Sequence, residues 1–330
     1  MKRYIGIDIG GTKCSVILGH TDEINSNDKS INIMEKISFP TEVKKGPNYS
    51  IGKITDAITS VMKLHNLTSS DIESLGISCG GPLDSKNGII KSPPNLYGWD
   101  NIEIVKHIEN KFKIKSSLQN DANACALAEW RFGAARGYKN AIFLTCGTGF
   151  GAGLILDGKL YSGSTDMAGE IGHVRAERNG PVGYGKAGSF EGFCSGGGIA
   201  QIAKTMVLEK LQMGEDVSFC KSIDNMDQID TKIVAKAAAE GDALAMKIYR
   251  ESGKYLGKAL SFFIDVLNPE IIVIGSIFAR NHDLLWPSAK EEIYSETLSY
   301  TRNACKVVPA ALGENLGDIA ALAVAAYKEV

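Results

Sequence analysis

Ile5-Gly6-Ile7-Asp8-Ile9-Gly10-Gly11-Thr12 reads as a β-strand running into a tight glycine turn, with a second strand resuming at residues 15–18. The same grammar returns at Ile142-Phe143-Leu144-Thr145-Cys146-Gly147-Thr148-Gly149, followed by a strand at 153–156. A strand–turn–strand unit used twice, each time with Gly and Thr in the turn, points to two related halves facing each other across a cleft. Such a turn exposes backbone N–H groups and a hydroxyl with no Cβ in the way, which suits a phosphate chain. Asp8 ends the first strand and faces whatever that turn holds; a carboxylate there can orient Mg²⁺ through water. Lys13 sits just beyond.

Outward from these turns, further strands are predicted at 74–78, 116–119 and 271–274. Helices are predicted at 51–65, 102–112 and 122–132, through much of 199–267 apart from a polar stretch at 214–230, and at 316–328. Strands alternating with helices give an α/β class. At 330 residues the chain is long enough for roughly two domains. Its net charge of −2 provides no basic field for nucleic acid or an anionic membrane, so a bound anion must be gripped locally. The N-terminus lacks the apolar run of a signal peptide, and no stretch approaches the length needed to span a bilayer. The seven cysteines are scattered without a C-x-x-C pair and read as reduced thiols, which places the protein in the cytoplasm. Of the 36 glycines, 16 fall between Gly147 and Gly198, marking that span as backbone that approaches a ligand.

Two phosphate motifs are excluded. Gly147-Thr148-Gly149-Phe150-Gly151-Ala152 has dinucleotide-fingerprint spacing, but a strand follows where the fingerprint needs a helix. Gly180 to Ala187 resembles a Walker A loop but ends on Ala where Ser or Thr must meet Mg²⁺. Asn120-Asp121-Ala122-Asn123 lies between a strand and a helix, where Asn and Asp are preferred caps. A carboxylate at that strand's end can alternatively accept the proton of a substrate hydroxyl. Both roles fit if one residue caps and the other reaches the ligand. Gly169-Glu170-Ile171-Gly172-His173 pairs a histidine with a carboxylate.

Taken together these residues resemble the ROK sugar kinases of the actin and hexokinase superfamily. Asp8 to Lys13 resembles the family's first phosphate motif, and Thr145 to Gly149 its second. Gly80-Gly81-Pro82-Leu83-Asp84 resembles its Gly-Pro turn, Pro94 to Trp99 its sugar loop and Asn120 to Asn123 its catalytic loop. Gly163 to His173 resembles its long Gly-x-x-Gly-x-Ala-Gly-Glu-x-Gly-His signature, except that Thr165 and Asp166 alter the middle. Leu267 to Ser276 resembles its adenosine-side strand.

The resemblance implies a two-domain, actin-like ATPase (ribonuclease H-like) fold with an interdomain cleft. Residues 1–119 plus 315–330 would form the smaller domain and 120–314 the larger. It implies an ATP- and Mg²⁺-dependent kinase for the 6-hydroxyl of a hexose, with Asp121 as general base. Gly81, Asn95, Asn120, Glu170, His173 and Glu191 would meet the sugar. Gly10, Gly11, Thr12, Lys13, Gly147, Thr148 and Gly149 would hold the phosphates, with Asp8 near the metal. Gly275, Ser276, Gly313 and Glu314 would lie on the adenosine side, and the family-level expectation is a homodimer.

Many family members bind a structural zinc through the signature His and three cysteines. Those cysteine positions are Val182, Tyr184 and Ser189 here, which is no tetrahedral zinc site. No structural zinc is expected, and Tyr184 and Phe190 packing should hold the loop instead. Glucose is the default substrate; mannose, fructose, allose and N-acetylhexosamines share the same hydroxyl-binding groups. The rival readings are a sugar-responsive repressor, for which the chain ahead of Tyr4 offers no helix-turn-helix, and a sugar-binding regulator without catalysis.

Overall fold

The computed structural model describes residues 2–25 and 28–327. The chain opens with β1 (Lys2–Ile9), β2 (Lys13–Asn25), β3 (Asp28–Pro40) and α1 (Pro47–Leu64). It continues with β4 (Ser74–Cys79), a short hairpin β5 (Leu83–Asp84) and β6 (Ile89–Ile90), then α2 (Ile104–Phe112), β7 (Ser116–Asn120) and α3 (Asp121–Phe132). Next come β8 (Ala141–Cys146), β9 (Phe150–Leu156) and β10 (Lys159–Tyr161), and a second small hairpin, β11 (Val182–Gly183) and β12 (Lys186–Ala187). The helices α4 (Phe190–Cys194), α5 (Gly196–Gln212), α6 (Thr231–Ala239) and α7 (Ala243–Leu267) precede β13 (Ile271–Ile274). The chain closes with α8 (Ile277–Arg280), α9 (His282–Glu296), α10 (Ser299–Ala304), β14 (Lys306–Pro309) and α11 (Leu316–Ala326).

The class is α/β, and the repeat heard in the sequence extends to whole sheets. The first has strand order β3-β2-β1-β4-β7, and the second β10-β9-β8-β13-β14. In each, three consecutive strands stand side by side and two later strands extend the sheet beyond the first of them. Strands β1, β4 and β7 run parallel, and β1 pairs antiparallel with β2 in the register Ile9↔Cys14, which leaves residues 10–12 as the turn.

The chain forms two compact units. One comprises Met1–Phe143, Gly153–Ala168 and Ala311–Val330; the other comprises Leu144–Ala152 and Gly169–Ala310. The boundary at 119/120 expected from the sequence does not coincide with this grouping, because α3 packs against α11. Glu129 of α3 is fully buried and accepts the N–H groups of Ala134 and Leu312, which ties the two segments together.

In the first unit, apolar residues of β1, β2 and β4 pack with α1 and α2 around the fully buried Trp99. The Ala-rich helix α11 packs against β1 and β4. Glycine permits that approach: a Cβ on Gly76 would stand 2.2 Å from the Ala325 backbone nitrogen. In the second unit the 25-residue α7 packs along α9. Among the described residues no helix is long and apolar enough to cross a membrane.

Local pattern misjudged some elements. The strand expected at 15–18 extends over all of β2, and β3 was not foreseen. Polar residues from His20 to Ser30 break the apolar alternation, and pairing across the sheet, as in Val16↔Ile37, holds the two strands together. The helices α9 and α10 and the strand β14 were also missed, α9 because Pro287 lies inside it. The last predicted helix ends at Ala326, and residue 328 lies outside the described residues.

Candidate active site

The first unit carries the catalytic-loop and first-turn candidates. Gly10, Gly11 and Thr12 form the β1–β2 turn, closed by the Gly10 N–H donating to Lys13 O at 3.0 Å. Thr41 braces it, its hydroxyl donating to Gly10 O at 2.6 Å and its N–H to Thr12 O at 3.0 Å. Thr12 and Lys13 are exposed. The turn abuts the predicted sugar loop: a Cβ on Gly11 would stand 2.6 Å from the Asn95 carbonyl oxygen. Gly11 and Asn95 are therefore neighbours.

The caps at α3 are now distinguishable. Asn120 is the N-cap, its Oδ1 accepting the Asn123 N–H at 2.8 Å, while its Nδ2 lies on the side of Gly81. Asp121 is the first helical residue, and its carboxylate accepts the Ala122 N–H at 2.8 Å and its own backbone N–H. The residue is exposed, and desolvation of the carboxyl raises its pKa against the two backbone hydrogen bonds, which act to lower it. Asn120 therefore holds the helix, and the Asp121 carboxyl stands beside it.

Asp8 is half-buried at the end of β1, and its pKa is pushed up to about 6. Burial is the largest cause, followed by the charges of Asp318 and Asp121, with Lys13 and Lys36 opposing. Asp318, whose charge acts on Asp8, is not among the residues expected from the sequence. It lies in the first turn of α11, buried, and is paired with Lys36 Nζ of β3 at 2.6 Å. Its neighbour Gly317 stands beside the Asp8 carboxylate, a Cβ there being 3.9 Å from Oδ2. Close packing of α11 on the sheet delivers this charge to Asp8. A carboxylate held in excess negative field fits a hydrated divalent cation. Gly313 and Glu314 lie in a short 3₁₀ turn just ahead of α11.

The second unit carries the other candidates. Gly147, Thr148 and Gly149 join β8 to β9, with the Gly147 N–H donating to Gly149 O at 3.0 Å and Thr148 exposed. Gly275 and Ser276 lie beside this turn: Gly275 N–H donates to Leu144 O at 2.9 Å, and a Cβ on Gly147 would be 3.3 Å from Ser276 Oγ. Glu191, in α4, accepts the Phe150 N–H at 3.1 Å, so this sugar-contact candidate is fixed to the residue that follows the phosphate turn.

The signature segment lies directly on β9. A Cβ on Gly172 would come 1.8 Å from Phe150 O, so no other residue fits there without moving the segment. Glu170 and His173 flank this contact and are both exposed. The His173 carbonyl accepts from Lys186 Nζ at 2.7 Å, and its ring meets Tyr184 edge-on at 6.0 Å between centroids.

The expectation for the altered zinc loop needs correcting. Phe190 is buried and meets Phe262 edge-on, but Tyr184 is 68% exposed and anchors nothing by burial. The β11–β12 hairpin is held by Gln201, which accepts the Val182 N–H and donates to Val182 O, both at 2.9 Å. Ser189 caps α4 through the Gly192 N–H. The sequence-predicted residues thus form two clusters. Asp8, the first turn, Gly81, Asn95, Asn120 and Asp121 lie in one unit; the second turn, Glu170, His173, Glu191, Gly275 and Ser276 lie in the other. A groove of 1190 Å³ in the first unit, lined by the β5–β6 hairpin, β7 and residues 160–166, includes none of these candidates.

The chain is 30% identical over 318 residues to a glucokinase of Halalkalibacterium halodurans, covering 96% of this chain and 92% of that protein. It is 28% identical over 281 residues to a xylose repressor of Caldicellulosiruptor bescii, covering 82% of this chain and 65% of the repressor. The structure of a Streptomyces griseus ROK family glucokinase in complex with glucose and AMPPNP superposes with a TM-score of 0.75 at 26% identity, covering 98% of this chain and 99% of that one. The ROK family pattern matches residues 4–328, so this chain belongs to the ROK family.

Proposed function

We propose that the chain is an ATP-dependent sugar kinase that phosphorylates the 6-hydroxyl of a hexose, glucose being the first candidate. The observation that carries this reading is Asp121: an exposed residue at a helix start whose desolvated carboxyl has a raised pKa, beside a capping asparagine and in the same unit as a braced Gly/Thr turn. A raised pKa makes Asp121 a stronger base at neutral pH, suited to taking the hydroxyl proton as the phosphoryl group transfers. Asn95, next to Gly11, would set the sugar against the first phosphate turn, with Gly81 and the Asn120 carboxamide on the Asp121 side. Glu170, His173 and Glu191 would meet the remaining hydroxyls.

The N–H groups of the two glycine turns and the hydroxyls of Thr12 and Thr148 would hold the phosphates. Asp8 would hold Mg²⁺ through water, and the ion when bound supplies charge neutralisation on the phosphates. Gly275, Ser276, Gly313 and Glu314 would lie toward the adenosine.

The similarity to a xylose repressor motivates a second reading, a sugar-responsive regulator that does not turn over. Coupled ADP release over a panel of glucose, mannose, fructose, allose and N-acetylhexosamines tests both. Sugar-dependent ADP release establishes the kinase, and the most efficient sugar names the substrate. Sugar binding without ADP release favours the regulator.

A further inference from the structure

Asp166 departs from the signature at the position where that motif has its second glycine, and no role in catalysis accounts for it. Its backbone is left-handed, with φ of 58°, a conformation that side chains disfavour and that Asp tolerates better than most. Its carboxylate is fully engaged: Oδ2 accepts the Ser85 N–H at 2.8 Å and Oδ1 accepts the Ser85 hydroxyl at 2.7 Å. One side chain thus clasps both donors of a single residue that is 81 positions away.

Each end of this clasp is stiff. Ser85 lies in the turn of the β5–β6 hairpin, which Asp84 braces from within by accepting from Asn87 N, Asn87 Nδ2 and Lys91 Nζ at 3.0–3.1 Å. Those donors hold the Asp84 carboxyl down at about 2. The same hairpin follows directly from Gly81-Pro82, the candidate sugar-lining turn. Asp166, for its part, sits in a closed loop, with the Ala168 N–H donating to Ser162 O at 3.0 Å. The chain leaves that loop straight into Gly169 and Glu170.

We propose that Asp166 is a positioning residue: by clasping Ser85 it fixes the first half of the signature loop to the hairpin that follows Gly81, and so presets the sugar-contacting backbone before substrate arrives. This rests on the sugar-kinase reading. Preorganisation of this kind acts on ground-state binding, so it governs KM for the sugar and leaves the chemical step alone.

Asp166→Gly is the informative variant, because glycine relieves the left-handed backbone and removes only the clasp. The KM for the preferred sugar should rise roughly tenfold, equivalent to about 1.4 kcal/mol of binding, with kcat changed less than about twofold. Amide exchange at Ser85 and across residues 163–168 should accelerate together. Asp166→Asn keeps one acceptor and should fall between wild type and Asp166→Gly, while Ser85→Ala, which keeps the N–H, should show a smaller rise in KM. Unchanged KM and exchange in Asp166→Gly would overturn the clasp, as would a fall in kcat matching the rise in KM. A wild-type chain without turnover on any sugar would overturn the functional reading instead.

Discussion

Replacing Asp8 with Asn should make the metal-free protein more stable at neutral pH, and the size of the gain follows from the site. Asp8 has its pKa raised from 3.8 to about 6, mostly by burial and then by the Asp318 and Asp121 charges. A carboxylate raised in the folded state binds its proton more tightly there than in the unfolded chain. Its contribution to stability is therefore fully present below pH 3.8 and is lost as pH climbs through about 6. At 1.36 kcal/mol per pH unit, the interval from 3.8 to about 6 sets an upper bound of about 3 kcal/mol. Solvent reaches the half-buried side chain, which reduces this to about 1–3 kcal/mol. Urea unfolding of wild type and Asp8→Asn, in chelator, at intervals from pH 4 to pH 8 isolates the effect as a difference. The variant's advantage should grow by that amount between pH 4 and pH 7 and then level off. A difference that stays flat, or that falls as pH rises, would refute the buried-carboxylate argument and with it the case for a cation at Asp8.

Three further outcomes follow from the same geometry. Asp121→Asn should lower turnover by about 10²–10⁴-fold while sugar affinity by calorimetry changes little; full activity would remove Asp121 as the base. Gly172→Ala sets a methyl group 1.8 Å from Phe150 O, so thermal unfolding should register a loss of about 2–3 kcal/mol along with weakened sugar binding. A variant of wild-type stability and affinity would show that the segment does not lie against β9. Lys36→Met leaves Asp318 buried without its ion-pair partner and should cost about 2 kcal/mol in urea unfolding, much of it recovered in the Lys36→Met, Asp318→Leu double variant. Additive losses in the double variant would count against the pair.

What the sequence disclosed and what it concealed divide along physical lines. Both glycine turns, the Asn120 cap with the adjacent Asp121, and the Gly169–His173 segment were legible because turn and cap chemistry is local. The α/β class and the paired halves were legible because strand–turn–strand repeats survive in the chain itself. Asp318 was not, since its importance comes from α11 packing on the sheet and from a partner 282 residues away. The tie between Asp166 and Ser85 was hidden for the same reason: the sequence marked Asp166 as unusual but could not name what it holds. The strand β3 is polar along its early residues and is a strand because β2 pairs with it. An aromatic residue in a loop suggests packing, but Tyr184 stays exposed because a hairpin with hydrogen bonds to Gln201 needs no such anchor.

The central claim is that a hexose hydroxyl loses its proton to Asp121 as ATP is consumed. Coupled ADP release by the wild-type chain and Asp121→Asn, with Mg²⁺ and each sugar of the panel, measures it directly. The wild type should release ADP only when sugar is present, with a hexose 6-phosphate as the product, and Asp121→Asn should bind the same sugar with almost no release. Sugar binding by the wild type with no ADP release on any sugar, or undiminished release by Asp121→Asn, would contradict it.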